Sequence, residues 1–198
     1  MASKRALIIF IRNPELGKVK TRLAQSLGDE KALAIYKSLL EHTRQIAEFV
    51  ETDRLVFYSH FIDPADEWAS VHFQKFLQSE GDLGSKIKQS FEKAFEQHQK
   101  VLIIGSDCAS LTATLIEEAF EALDSHEFVL GPAIDGGYYL LGMRQFSPTL
   151  LDGIPWSTDR VATLTLEKMK ELGGSCHLLV PLSDIDYAED WEKYGWEI

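Results

Sequence analysis

Asp107 stands directly after four aliphatic residues, Val101-Leu102-Ile103-Ile104, and a short turn, Gly105-Ser106. A continuous apolar run of this length between turn signals reads as a strand buried on both faces of a parallel sheet. Asp107 then falls just past the strand's carboxyl end, the edge at which open α/β sheets bind ligands. A carboxylate there needs a cation, a donor or water. A divalent metal carrying a phosphate meets that need. So does a turn or a helix N-terminus, a role for which Ser106, Ser110 and Thr112 also compete. Lys18, Lys20 and Arg22 form the one dense basic cluster of the chain, between a first apolar run and a helix-like segment. Helix N-termini disfavour cations, whereas their N–H groups and dipole favour anions. The cluster therefore points to phosphate, against the alternative of surface charges in water.

Two further constellations carry oxygen donors. In Asp135-Gly136-Gly137 the paired glycines allow positive φ and close approach of backbone to a ligand. Asp135 reads either as the first residue of an Asp-Gly turn or as a second carboxylate for a metal or a sugar hydroxyl. Asp184, Asp186, Glu189 and Asp190 lie close together. Carboxylates so placed suit the first turn of a helix, or supply a metal ligand. Cys108 adjoins Asp107, but no His lies near it in the sequence, and it reads as a small buried hydrophobe.

These groups require elements to hold them. Ala6 to Ile11 is predicted as the first buried strand, ending in Arg12-Asn13-Pro14, with Pro14 and Gly17 marking a loop. Asp29 to Val50 is amphipathic at helical spacing through Leu33, Tyr36, Leu39, Leu40, Thr43, Ile46, Ala47 and Val50. Arg54 to Ser59 reads as a strand, Ile62 to Leu77 as a helical turn plus a short strand, and Ser85 to Gln97 as a helix. Leu115 to Leu123 is predicted helical and Glu127 to Leu130 a short strand. Tyr138 to Met143 is the returning strand of a hairpin-like excursion. Pro155-Trp156 opens a helix to about Leu172, with Ser157 or Thr158 as N-cap and Gly173-Gly174 at its end. His177 to Val180 is the last strand. The alternation implies a three-layer α/β/α sandwich, its sheet mainly parallel with a small antiparallel excursion.

The chain has 198 residues, 45% hydrophobic and 26% charged, a size that predicts a single domain over 1–198. A formal net charge of -11 argues against nucleic acid or an anionic membrane as partner, while a local cationic cluster on an acidic chain still suits a phosphorylated small molecule. No apolar run reaches the length of a membrane span. Met-Ala-Ser-Lys-Arg is followed by no small-residue cleavage site, so no secretory signal is expected. Two cysteines, Cys108 and Cys176, without metal-binding spacing, fit a reducing cytoplasm.

Five ordered motifs carry a resemblance: Lys-Thr-Arg-Leu at 20–23, Gly-Ser-Asp-Cys at 105–108, Gly-Pro-Ala-x-Asp-Gly-Gly-Tyr-Tyr-Leu at 131–140, Trp-Ser-Thr at 156–158 and Asp-Ile-Asp at 184–186. Together they resemble the bacterial radical-SAM/selenodomain-associated transferases of type 1, of the nucleotide-diphospho-sugar transferase superfamily with the GT-A fold. The chain also looks similar to the guanylyltransferases that activate a phospholactate-type acid. The resemblance implies a nucleotide or nucleotide-sugar donor, a small-molecule acceptor and Mg2+ or Mn2+. It implies that Lys20 and Arg22 bind phosphates, that Asp107 holds the metal, and that Asp135 and Asp186 lie near the metal or the acceptor. Asp107, Lys20, Arg22 and Asp135 are thus the expected catalytic residues, with Asp107 and Asp186 as metal ligands. Lys18, Ser106, Gly136, Gly137, Tyr138, Trp156, Ser157 and Thr158 are the expected substrate contacts. Ala109 stands where the family usually has Pro, and Tyr187 where it usually has Thr. The Gly-x-Gly loop of typical sugar nucleotidyltransferases is replaced by Asn13 to Lys18, and the Asp-x-Asp of typical glycosyltransferases is reduced to Asp107. Glycosyl transfer, nucleotidyl transfer and a non-catalytic nucleotide-binding module are the readings left open.

Overall fold

A computed structural model describes residues 4–198. Met1 to Ser3, part of the segment on which the expectation of no secretory signal rested, lie outside the described residues. Seven strands form one sheet in the order β3-β2-β1-β4-β6-β5-β7. They are β1 (Arg5–Ile11), β2 (Asp53–Tyr58), β3 (Gln74–Leu77), β4 (Lys100–Ile104), β5 (Phe128–Pro132), β6 (Tyr138–Met143) and β7 (Cys176–Leu178). Only β6 runs antiparallel to its neighbours, β4 and β5; the remaining pairings are parallel. The expected sandwich with one antiparallel excursion is the fold observed.

Alternation along the central strands explains the layers. Leu7, Ile9 and Ile11 of β1 and Leu102 and Ile104 of β4 face one side, where Tyr36 and Leu40 of α2 (Asp29–Glu48) and Ile116 and Phe120 of α4 (Ala113–Ala122) cover them. Ala6, Ile8, Val101 and Ile103 face the other side, under Ile87 and Phe91 of α3 (Leu83–Phe95) and Ala162 and Met169 of α5 (Val161–Glu171). A parallel strand buried on both faces must be apolar throughout, which is why both central strands were legible as unbroken runs. Short α1 (Thr21–Leu27) and α6 (Ala188–Tyr194) close a satellite cluster with α2 around Leu23, Leu39 and Ile185.

Two departures from expectation bear on the site. Trp156-Ser157-Thr158 does not open α5, which begins at Val161 with Arg160 as N-cap and no side-chain cap bond. Ser157 has φ 64 and sits in left-handed backbone. The Thr158 hydroxyl donates to the Pro155 carbonyl (2.8 Å) and accepts from Arg160 N–H, so it builds a turn ahead of the helix. β7 ends at Leu178, although Leu179 N–H still donates to the Leu130 carbonyl (2.9 Å) and Leu182 N–H to the Pro132 carbonyl (3.1 Å). The chain thus follows β5 past the end of the regular ladder and delivers Asp184 and Asp186 to the sheet edge. Among the described residues, no helix is long and apolar enough to cross a membrane.

Candidate active site at the β1/β4 switch point

β1 and β4 are adjacent and parallel, and the chain leaves them toward opposite halves of the sheet. A crevice opens between such loops, at the position where α/β sheets bind ligands. Buried polar side chains brace its floor. The Tyr36 hydroxyl accepts from Arg12 N–H (2.8 Å) and donates to the Arg12 carbonyl (3.0 Å). It also lies 3.2 Å from the Ser106 hydroxyl, which tethers the β1 and β4 turns to one atom. Asn13 is buried. Its side-chain oxygen accepts from the Ser59 hydroxyl and His60 N–H, and its amide donates to the Phe61 carbonyl, holding the β1 loop to the end of β2. Gln78 donates to the carbonyls of Ile11 and Phe57 (both 3.1 Å).

On this floor the charged side chains converge from three segments. Lys20 has φ 48, left-handed backbone that a non-glycine residue adopts at a cost of roughly 1–2 kcal/mol. Its ammonium lies 3.0 Å from Asp107 and 3.5 Å from Asp186, with the side chain only 6% exposed. Paired carboxylates are what permit an ammonium to be buried this far. Arg22 donates to the second oxygen of Asp186 (3.0 Å), and its guanidinium lies 5.8 Å from the centre of the Tyr187 ring. Ile185 N–H donates to the Asp107 carbonyl (2.9 Å), pinning the C-terminal loop to the β4 turn. Ile185 is fully buried beside Asp186, whose carboxylate is held by Lys20 and Arg22.

From the sequence Asp184 is one of four clustered carboxylates, with Asp186 alone expected as a ligand. Burial, and after it the charge of Asp107, raises its carboxyl to about 7, with Lys20 pulling it back and Asp135 and Asp186 adding to the rise. The spacing of Asp-Ile-Asp was the only signal that could have marked it. Asp107, Asp135, Asp184 and Asp186 therefore share one electrostatic neighbourhood with Lys20 and Arg22, an arrangement in which acids outnumber bases.

Other expectations fall differently. Ser106 is 4% exposed and lies 3.2 Å from the Tyr36 hydroxyl, so its hydroxyl braces the floor. Lys18 is 64% exposed and pairs with Glu15 (2.7 Å). Asp135 accepts from Gly137 N–H (2.9 Å), the turn role, while remaining exposed. Gly136 has φ 92, and its carbonyl accepts from Ala162 N–H. A Cβ on Gly136 would stand 2.0 Å from the Asp159 carbonyl oxygen, so this glycine is needed to dock the turn on α5. Tyr138 and Trp156 pack edge to face, 6.3 Å apart, on the α3/α5 side of the sheet. There the indole lies so close to Gly84 that a Cβ on that glycine would meet it at 2.2 Å. The Tyr138 hydroxyl is buried without a hydrogen-bond partner. Burial pushes the Cys108 thiol up to about 12, consistent with an inert core residue.

Asp107 and Asp186 are the candidate metal ligands. Among the described residues, no group of three or more His, Cys, Asp or Glu side chains is arranged as a metal cage. Mg2+ does not demand one, since it is held by one or two carboxylates and takes its remaining ligands from phosphate and water. The partly exposed pair and the local excess of negative charge fit such an ion.

The chain's relatives place it in the GT-A-like nucleotide-diphospho-sugar transferase superfamily. Within it, the chain belongs to the family described as uncharacterized protein conserved in bacteria (DUF2064), whose model matches residues 42–158. The chain is 30% identical to a crystal structure from Desulfovibrio desulfuricans G20, itself provisionally described as a nucleotide-diphospho-sugar transferase. That match covers 94% of this chain and 84% of the other, with a TM-score of 0.87. A cytidylyltransferase from Leptospira borgpetersenii serovar Hardjo-bovis (strain JB197) shares the fold at 14% identity and TM-score 0.61, over 97% of this chain and 85% of the other. A Mycobacterium tuberculosis H37Rv protein solved in complex with manganese shares it at 12% identity and TM-score 0.52, over 98% of each chain. No curated protein sequence matches the chain.

Proposed function

We propose that the protein is a nucleotidyltransferase that uses a nucleoside triphosphate and Mg2+ or Mn2+ to activate a small-molecule acceptor, with release of pyrophosphate. The observation that carries this reading is the convergence of Asp107 and Asp186, from different loops, on the buried Lys20 ammonium at the β1/β4 switch point. The shared fold with a cytidylyltransferase supports nucleotidyl transfer, and the manganese complex of another protein of this fold supports the metal.

Asp107 and Asp186 would hold the cation, whose chemistry there is to neutralise charge on the departing phosphates. Lys20 fixes the position of both carboxylates, and Arg22 adds a positive charge at the crevice mouth. The Asp135 turn, docked on α5, would present the acceptor. An acceptor oxygen forms a bond to the α-phosphorus as the bond from that phosphorus to its bridging oxygen breaks, and the electron pair leaves with pyrophosphate. Preorganised charges around the departing group are the main catalytic resource of such a site.

Glycosyl transfer from a nucleotide sugar is the second reading, favoured by the description of the Desulfovibrio protein. Within the superfamily, the five sequence motifs support a place among the radical-SAM/selenodomain-associated transferases of type 1. The free cysteines Cys108 and Cys176 support a cytoplasmic protein.

The deciding experiment is thermal stabilisation by a panel of nucleoside triphosphates and nucleotide sugars, with and without Mg2+ or Mn2+. Ligand at 100 times its dissociation constant adds about 2.7 kcal/mol. A shift that needs one triphosphate together with metal, followed by pyrophosphate release with an acceptor, is expected. A shift confined to a nucleotide sugar, with release of nucleoside diphosphate, would transfer the assignment to glycosyl transfer. No shift with any donor would remove both readings.

A further inference from the structure

The cations that the sequence marks for phosphate are already engaged by protein carboxylates. Lys20 lies between Asp107 and Asp186, Arg22 pairs with Asp186, and Lys18 pairs with Glu15. Arg12 differs from them. Its backbone is fixed on both sides by the Tyr36 hydroxyl (2.8 and 3.0 Å), and the following residue, Asn13, is locked by its own side-chain hydrogen bonds. Its side chain is exposed. Among the described residues, the only hydrogen bonds of Arg12 are those of its backbone to Tyr36.

Its position is set by a shared contact. The Tyr36 hydroxyl that bonds both backbone groups of Arg12 also lies 3.2 Å from the Ser106 hydroxyl, so the Arg12 backbone stands close to the residue that precedes Asp107. The Tyr36 hydroxyl feels both groups: after burial, the Asp107 charge raises its pKa, while Arg12 pulls it back. An exposed arginine thus stands on a rigid backbone at the β1 end of the crevice, in no ion pair with a carboxylate among the described residues.

Resting on the reading above, we propose that Arg12 is the residue that grips the diphosphate portion of the donor, while Lys20 serves to position Asp107 and Asp186. A planar guanidinium offers paired N–H groups that match two phosphate oxygens, which an ammonium does not. An exposed arginine that forms no ion pair among the described residues needs no protein pair to be broken before it binds.

The test is calorimetric titration of the full chain with pyrophosphate in the presence of Mg2+, which isolates the diphosphate from any base or sugar. Arg12→Gln should weaken binding about 10- to 100-fold, the range for one charge-assisted contact, with its unfolding midpoint unchanged. Arg12→Lys should fall between Arg12→Gln and the wild type. Lys37→Gln, an exposed position on α2, matches the change in net charge and should alter affinity by less than about twofold. Wild-type binding that Arg12→Gln leaves intact would overturn the role of Arg12 while the transferase reading stands. Absence of wild-type binding to both pyrophosphate and the nucleotide panel would overturn the two together.

Discussion

The two edges of the sheet handle charge in opposite ways. At the amino edge carboxylates sit in matched pairs: Glu117 with Arg5 (2.7 Å), Glu127 with Arg144 (3.1 Å) and Asp124 with Lys100, while Asp53 lies 2.9 Å from the His98 ring. Glu127 also accepts two hydrogen bonds from Ser175, which hold its carboxyl down at about 2. At the carboxyl edge Asp107, Asp135, Asp184 and Asp186 crowd around Lys20 and Arg22, and Asp184 is pushed up to about 7. Matched pairs are a structural solution. An unmatched cluster beside a lysine in left-handed backbone costs stability, and such strain gathers at functional sites.

The largest effect that would break this contrast is catalytic. Asp107→Asn should lower kcat/KM by about 10²–10³-fold, the range for removing one preorganised electrostatic group, while the unfolding midpoint stays near wild type because the side chain is 44% exposed. Steady-state kinetics beside a urea melt would show it; equal kinetics would return Asp107 to a turn role. Lys20→Met leaves acids facing one another without their central cation. It should cost about 1–3 kcal/mol of stability, less than the full penalty for a buried pair because Asp107 and Asp186 keep contact with water, and should raise Asp184 further. His98→Ala, at the matched edge, should cost a similar 1–3 kcal/mol by stranding Asp53 and leave kcat/KM unchanged. A kinetic defect there would blur the distinction between the edges.

The smallest effect is a pair of opposite pH slopes, read from urea unfolding in EDTA. Glu127, depressed in the folded state, contributes stability above its unfolded value of 4.5 that is lost as pH falls toward about 2. Glu127→Gln should flatten the acid limb. Asp184, raised from 3.8 to about 7, binds a proton in the folded state that the unfolded chain has released. Its contribution is therefore present below 3.8 and declines as pH rises to about 7. Asp184→Asn should remove that decline and make the protein more stable at neutral pH. A wild-type slope retained in Asp184→Asn would show that the crowding at this edge is not felt by Asp184.

The elements that were easiest to read follow one rule. β1, β4 and α2 bury their side chains in patterns set by local geometry, two-sided for the central strands and one-faced for the helix, so composition and period suffice. The start of α5 was misplaced because Ser157 and Thr158 are good capping residues, and nothing in their identity says that a left-handed Ser157 will turn the chain first. Lys20, Asp107 and Asp186 were legible as chemically apt residues at loop positions. That Lys20 would be engaged by the two acids, and Ser106 by Tyr36, was not. Arg12 was read only as the end of a strand, and Asp184 only as one of four clustered carboxylates, because their importance lies in what surrounds them.

The layer architecture, its central strands and a short roster of chemically apt loop residues follow from side-chain type and nearest neighbours along the chain. Which of those residues meet depends on how the strands and loops assemble. Lys20 and Asp186 are separated by 166 positions and joined by one ion pair. Their encounter requires β1 and β4 to lie side by side, the segment after β7 to follow β5 to the same edge, and Ile185 to anchor on the Asp107 carbonyl. Charge balance at a site is a property of that assembled neighbourhood, because electrostatic energy depends on distance and burial and not on order along the chain.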